Sequence, residues 1–318
     1  DHHHPHRHQD RGNDQVDDEE GQEDEEADLE RPGNLAEKER RDQHRQRRFR
    51  SGRDGLGAGA KVDPGCAAKT AIVDALGAIG EENAPGELCD RVFLPGARTE
   101  QWEPVRGGRI DTAGPLRAAC AAGLEAWHHP RVMEVLADHL ADPLAEVRAE
   151  AARSVARRGR EDGVPLLRLR LGMGDPEAAV LGECCRALLA LAPEPSLDLV
   201  AARLETSDDE VFGEVALALG ESRRPGAFDA LVEAWRREFG LERRRILLAA
   251  VAALRSEVGI AFLLRRVVEE APDLACESVT ALFVYAADDG VRARVAAAVQ
   301  EADDEAVTGY VRTTFEAV

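Results

Sequence analysis

Aromatic residues are scarce in this chain: eight Phe, three Trp and two Tyr make up 4% of 318 residues, although 44% are hydrophobic. Only two methionines occur. A core of this kind is mostly Ala, Leu and Val, which suits packed helices and not a large aromatic-lined catalytic core. No apolar run approaches the roughly 18–20 residues that span a bilayer. The longest, Ile246 to Leu254 and Val279 to Ala287, read as core helices. The six cysteines contain no C-x-x-C, so neither a zinc site nor a disulfide framework is encoded. H-E-x-x-H and G-x-S-x-G are absent, and His128-His129 and His139 stand apart. The expectation is no catalytic residue, no metal and no cofactor.

What is present is a helical phrase that recurs about every thirty residues. One copy runs Val147-Arg148-Ala149-Glu150-Ala151-Ala152-Arg153-Ser154-Val155. Others begin at Ala68, Leu116, Val180, Val211, Ile246 and Leu274. Apolar or small residues fall at offsets 0, +4, +5, +7 and +8, which is one face of a helix. Between phrases lie second apolar runs, from Val132 to Leu140, Val164 to Leu171, Leu197 to Leu204, Phe228 to Trp235 and Ile260 to Val268. Each follows a turn signal such as Pro130, Gly163 or Gly259. The unit is therefore a pair of helices, and no strand reading competes with it. Asp142-Pro143, Asp175-Pro176, Ser207-Asp208-Asp209 and Pro272-Asp273 read as helix N-caps.

The pattern D-P-x-x-x-V-R-x-x-A-A at Asp142 to Ala152, on a two-helix unit of this length, resembles the HEAT repeat. It is similar in particular to the short prokaryotic kind first recognised in phycobilisome lyases. The resemblance covers roughly residues 62 to 318. It implies an all-α, right-handed α-solenoid of about six to seven stacked helix pairs, whose usual role is to bind another protein. The lyase resemblance would imply chromophore attachment to a phycobiliprotein. Wholly helical-repeat glycosylases would imply DNA binding. Both stand as alternatives to a non-enzymatic scaffold.

Several residue classes fit inside the repeat. Cys120 and Cys184 hold offset +4 and Cys185 offset +5, so they read as small core residues, and unpaired core thiols point to a reducing, cytoplasmic setting. Lys69, Arg117 and Arg148 share offset +1 and are placed to form a ladder with loop acids. Glu146, Glu150 and Glu183 read as solvated partners of nearby arginines. The pairs Arg157-Arg158, Arg223-Arg224, Arg236-Arg237, Arg265-Arg266 and the triplet Arg243-Arg244-Arg245 fall near helix ends, where cations suit a C-terminal dipole. The net charge is −20. Residues 1–61 hold 17 acids and 12 bases, leaving 44 acids against 29 bases, a net of −15, in the repeats. That balance disfavours nucleic acid as a partner.

Two segments do not fit. Residues 1–61 run from a histidine-rich start through an acidic tract and a basic tract to a glycine-rich stretch ending at Lys61, and read as a disordered, low-complexity tail. No signal peptide is evident there. The start at Asp1 and the abrupt opening of the array at Val62 suit a fragment, a processed form or a misplaced gene start. The second segment is an insertion at 91–112, where the phrase spacing stretches to 48 residues. It holds Trp102, two prolines, three glycines and four arginines. Insertions in solenoids form loops on one face, and Trp and Arg dominate binding energetics. Arg98, Trp102, Arg106 and Arg109 are therefore the candidate contacts for a protein partner. The alternative is a plain loop, with Trp102 against the stack and Asp111 or Thr112 capping the next helix.

Overall fold

A computed structural model describes residues 62–80 and 87–314. The tail at 1–61, with its histidine-rich start and glycine-rich end, lies outside the described residues.

The phrases form the helices α1 (Ala67–Ile79), α2 (Gly114–Ala126), α4 (Ala145–Arg157), α6 (Ala178–Leu191), α8 (Asp209–Ser222), α10 (Leu241–Ala253) and α12 (Pro272–Leu282). The second runs form α3 (Val132–His139), α5 (Val164–Met173), α7 (Pro193–Ala201), α9 (Pro225–Arg237) and α11 (Glu257–Glu269). Two further helices follow, α13 (Asp289–Ala302) and α14 (Glu305–Thr314). Each phrase helix packs beside the next, α1 on α2, α2 on α4, and so on through α12 on α14. The interleaved helices lie behind this row, with α7 against α9 and α11 against α13. Val147, Ala151, Ala152 and Val155 in α4 are buried, as are Val180, Cys184, Cys185 and Leu188 in α6, so the periodic offsets do form the core. α14 continues the row with Val307 buried, an eighth phrase helix whose sequence keeps apolar residues at offsets 0, +4 and +8, Val307, Val311 and Phe315.

Small residues set the spacing of the row. A Cβ on Gly220 would strike the Ala250 carbonyl oxygen, so α8 and α10 approach to backbone contact there. A Cβ on Gly123 would sit 2.7 Å from the Phe93 ring, which instead meets Trp127 edge-on at 5.4 Å between centroids. Cys120, Cys184 and Cys185 are fully buried, and burial pushes their thiols up to about 12. All six cysteines are free thiols.

Two expectations about loop acids and arginines change. Asp208 does cap α8, accepting from the N–H groups of Glu210 and Val211. Asp142 and Asp175 do not cap; Leu144 and Glu177 occupy the cap positions of α4 and α6. A guanidinium from the preceding phrase helix claims both carboxylates, because a charge-assisted bidentate pair outweighs one backbone hydrogen bond. The triplet Arg243 to Arg245 lies in the first turns of α10, not at a C-terminus. Arg243 lies 4.6 Å over the Phe212 ring and pairs with Asp209 and Glu238, and Arg244 lies 4.7 Å over Trp235. Aromatic faces and nearby carboxylates, not the helix dipole, therefore hold these cations, with Arg245 pairing with Glu242 and Glu277.

Candidate interaction site

The insertion is a structured unit. A π-helical segment, Cys89–Phe93, runs into one α-turn, Leu94–Gly96, and both pack on α2 in the place of an interleaved helix. Then comes an antiparallel hairpin of β1 (Trp102–Val105) and β2 (Gly108–Asp111), the only strands among the described residues. Sequence reading expected no strand. Arg106 and Gly107 make the turn, with Gly107 at φ +102°, a region open to glycine.

Buried polar contacts fix the base of the hairpin. Gln101 donates through Nε2 to Asp63 O and Glu103 Oε1, and accepts from Lys69 Nζ. Glu103 Oε1 accepts the Gly65 N–H at 2.6 Å and the Thr112 hydroxyl at 2.9 Å. These donors hold the Glu103 carboxyl below the usual carboxylate range, Gly65 contributing most. Asp111 Oδ1 accepts the N–H groups of Gln101 and Ala113. Asp111 thus fixes the hairpin and the entry to α2 without capping the helix, and Thr112 bonds back to the hairpin.

Arg117 joins this base to the repeat. Its guanidinium donates to Asp111 Oδ2 at 2.7 Å, to Thr99 O at 2.8 Å and to both oxygens of Asp142 at 2.9 and 3.0 Å. Burial works against the charge, yet the paired Asp142 and Asp111 raise the Arg117 pKa above the ordinary arginine value. His139, buried beside it, bonds the Ala97 carbonyl through Nε2 at 2.7 Å, and burial lowers its pKa.

The same device recurs down the row. Arg148 pairs bidentately with Asp175 at 2.7 Å, joined there by Arg170, and Lys69 reaches Asp63 at 3.6 Å. Offset +1 therefore carries a ladder of basic residues onto loop aspartates, as the spacing predicts. It ends at α6: the next four +1 residues are Leu181, Phe212, Leu247 and Ala275, all buried. A row of stacked phrase helices backed by interleaved helices, with its first three members keyed by a basic residue to a loop aspartate, is decisive. The chain folds as a HEAT-like α-solenoid. No family model matches the sequence, and no curated protein matches it. Solved structures similar to this HEAT-like solenoid include the complex of CpcE and CpcF of phycocyanin lyase from Nostoc sp. PCC7120, at 18% identity and TM-score 0.38 over 73% of this chain and 88% of that one. Human deoxyhypusine hydroxylase in complex with glycerol is similar at 18% identity and TM-score 0.31, over 80% and 99%. At these values the likeness concerns fold and carries no chemistry.

On the solenoid the hairpin brings part of the candidate set together. Trp102 pairs with Asp111 and Pro104 with Arg109, so Trp102, Pro104 and Arg109 share one face. Arg106 is at the exposed tip, and Arg98 lies before the base, bonded through its N–H to Pro95 O. Arg98, Arg106 and Arg109 are exposed and pair with no described carboxylate. Trp102 is half-buried and donates from Nε1 to Glu100 at 3.2 Å. Exposed Val105 and Ile110, which sequence reading did not single out, lie on the opposite face.

From α2 to α8 the exposed face of the phrase row carries paired charges. Glu125, Arg157, Glu150, Arg153, Glu183 and Arg186 form a continuous chain of ion pairs from α2 to α6, and Arg186 extends it to Glu214 and Glu221 on α8. A recess of about 490 Å³ between α6, α8 and α10 has Leu217 and Ile246 among its apolar lining. Its polar lining is carboxylate only: Glu177, Asp209, Glu210 and Glu214. Among the described residues no group of three or more His, Cys, Asp or Glu could hold a metal ion, and no helix is long and apolar enough to cross a membrane.

Proposed function

We propose that this solenoid is a non-enzymatic scaffold that binds another protein through the insertion hairpin, in the cytoplasm. The observation that carries the reading is the contrast between the hairpin and the ion-paired face of the row from α2 to α8. Arg153, Arg157 and Arg186 are committed to glutamates on neighbouring helices, whereas Arg98, Arg106 and Arg109 are not. These three, with Trp102, stand on a base that Arg117, Gln101 and Glu103 hold rigid, so little ordering entropy opposes binding there. Six free thiols, five of them buried, suit a reducing compartment. Affinity capture from native lysate tests the reading. A specific protein retained by the wild-type chain and lost by the Trp102→Ala, Arg106→Ala double variant supports it. Equal capture by both removes the hairpin from the contact. Bilin attachment to a phycobiliprotein on co-expression would overturn the non-enzymatic assignment.

A further inference from the structure

The two free edges of the hairpin are not equivalent. The Thr112 N–H donates to the Gln101 carbonyl at 2.8 Å, which makes Gln101 and Thr112 a hydrogen-bonded pair. Alternation along the register then makes Glu103–Ile110 and Val105–Gly108 bonded pairs, and leaves Trp102–Asp111 and Pro104–Arg109 unbonded. The backbone polar groups of these last four residues point away from the hairpin. On the β1 edge, Pro104 removes one of the two outward donors, a usual way to blunt an edge. On the β2 edge, Arg109 and Asp111 keep both N–H groups, and no described acceptor takes either. The side chain above that edge is Arg109, on the same face as Trp102, with Arg106 next to it at the tip. Neither Arg109 nor Arg106 pairs with a described carboxylate, and the carboxyls of Glu103 and Asp111 are turned into the base.

We propose that the β2 edge accepts an extended acidic segment of another protein as a third, antiparallel strand. Backbone bonds to Arg109 and Asp111 hold it, and Arg109 and Arg106 meet its carboxylates. This inference rests on the hairpin being the interaction site. It commits to a geometry: in a bonded antiparallel pair, opposed residues share a face. An acidic residue across from Arg109 must therefore point its own N–H toward β2.

The test uses the full chain and a labelled synthetic peptide of alternating glutamate and valine, read by fluorescence anisotropy. Two N-methylated versions are compared, one blocked at the glutamate amides and one at the valine amides. The expected result is binding of the parent and of the valine-methylated peptide, with about tenfold or greater loss on glutamate methylation. Arg109→Pro should cost as much with unchanged helicity, whereas Arg109→Gln should cost about fivefold and flatten the salt dependence. Equal binding of the parent and the glutamate-methylated peptide overturns strand addition while leaving a side-chain contact at the hairpin intact. Equal binding to the Arg109→Pro and Arg109→Gln variants also overturns it. So does failure of the parent peptide to bind the wild-type chain at about 1 mM, whatever the lysate capture shows.

Discussion

Replacing Arg117 by leucine should be among the most damaging surface-distant changes in the chain. The Arg117 side chain is 5% exposed and its partners Asp111 and Asp142 are 6% and 9% exposed. Leucine removes four charge-assisted or carbonyl hydrogen bonds and leaves two carboxylates without a countercharge. Breaking a buried pair from one side typically costs about 3–5 kcal/mol. Asp111 keeps the N–H groups of Gln101 and Ala113, and Asp142 keeps that of Leu144. The loss therefore falls toward the lower end, about 3 kcal/mol, or a fall in Tm of roughly 6–12 °C for a domain of this size. Arg153→Ala is the control. Arg153 also bridges two glutamates, but it is 42% exposed, and pairs of that kind are worth about 1 kcal/mol or less. Thermal and urea unfolding followed by circular dichroism at 222 nm give both values. Adding Asp142→Leu to Arg117→Leu should recover about 1–2 kcal/mol relative to additivity, because it removes one stranded charge. If Arg117→Leu costs no more than Arg153→Ala, burial is not what gives the Arg117 pair its strength and the reasoning fails.

Gly220→Ala should destabilise by about 1–2 kcal/mol, since the Ala250 backbone cannot yield, while Gly172→Ala, in open space on α5, should gain up to about 1 kcal/mol from helix propensity. Native-state alkylation at pH 8 should leave Cys120, Cys184 and Cys185 unmodified, and mass mapping should find all three labelled in guanidinium. His139 has a pKa lowered by burial, so the unfolded chain takes up the proton first. Its contribution is complete above about pH 6.5 and is lost as pH falls from there toward the folded value, at up to about 1.4 kcal/mol per pH unit. Urea midpoints from pH 7.5 to 5 should fall more steeply in the wild-type chain than in His139→Gln.

The helix row was legible because its offsets are local and repeated, and the same offsets placed the three core cysteines and the basic ladder. Features that depend on distant partners were not. The hairpin has strands of four residues and no long alternating run. Its order comes from Asp63, Gly65, Lys69 and Arg117, several of them more than thirty positions away in sequence. Asp142 and Asp175 each look locally like a cap before proline, and only the fold shows the arginine that claims them. Of the candidate contacts, Trp102 and Arg109 could be assigned to one face only once the register was known. The Gly-Gly after Arg106 was the one signal in the sequence that could have pointed to a tight turn.

The end of the basic ladder at Leu181 gives the array two kinds of joint. Those between α2 and α6 include buried ion pairs, and those beyond include Phe212 and Leu247 at the same position. Apolar contact weakens on cooling, whereas the cost of desolvating an ion pair falls on warming. The two halves should therefore respond to temperature in opposite senses. Near freezing, amide protection, taken relative to the intrinsic exchange rate, should weaken first around α8 to α12. As the chain is warmed, the segment from α2 to α6 should hold relatively longer. The temperature at which the two halves open equally would measure how far each joint depends on charge and how far on oil.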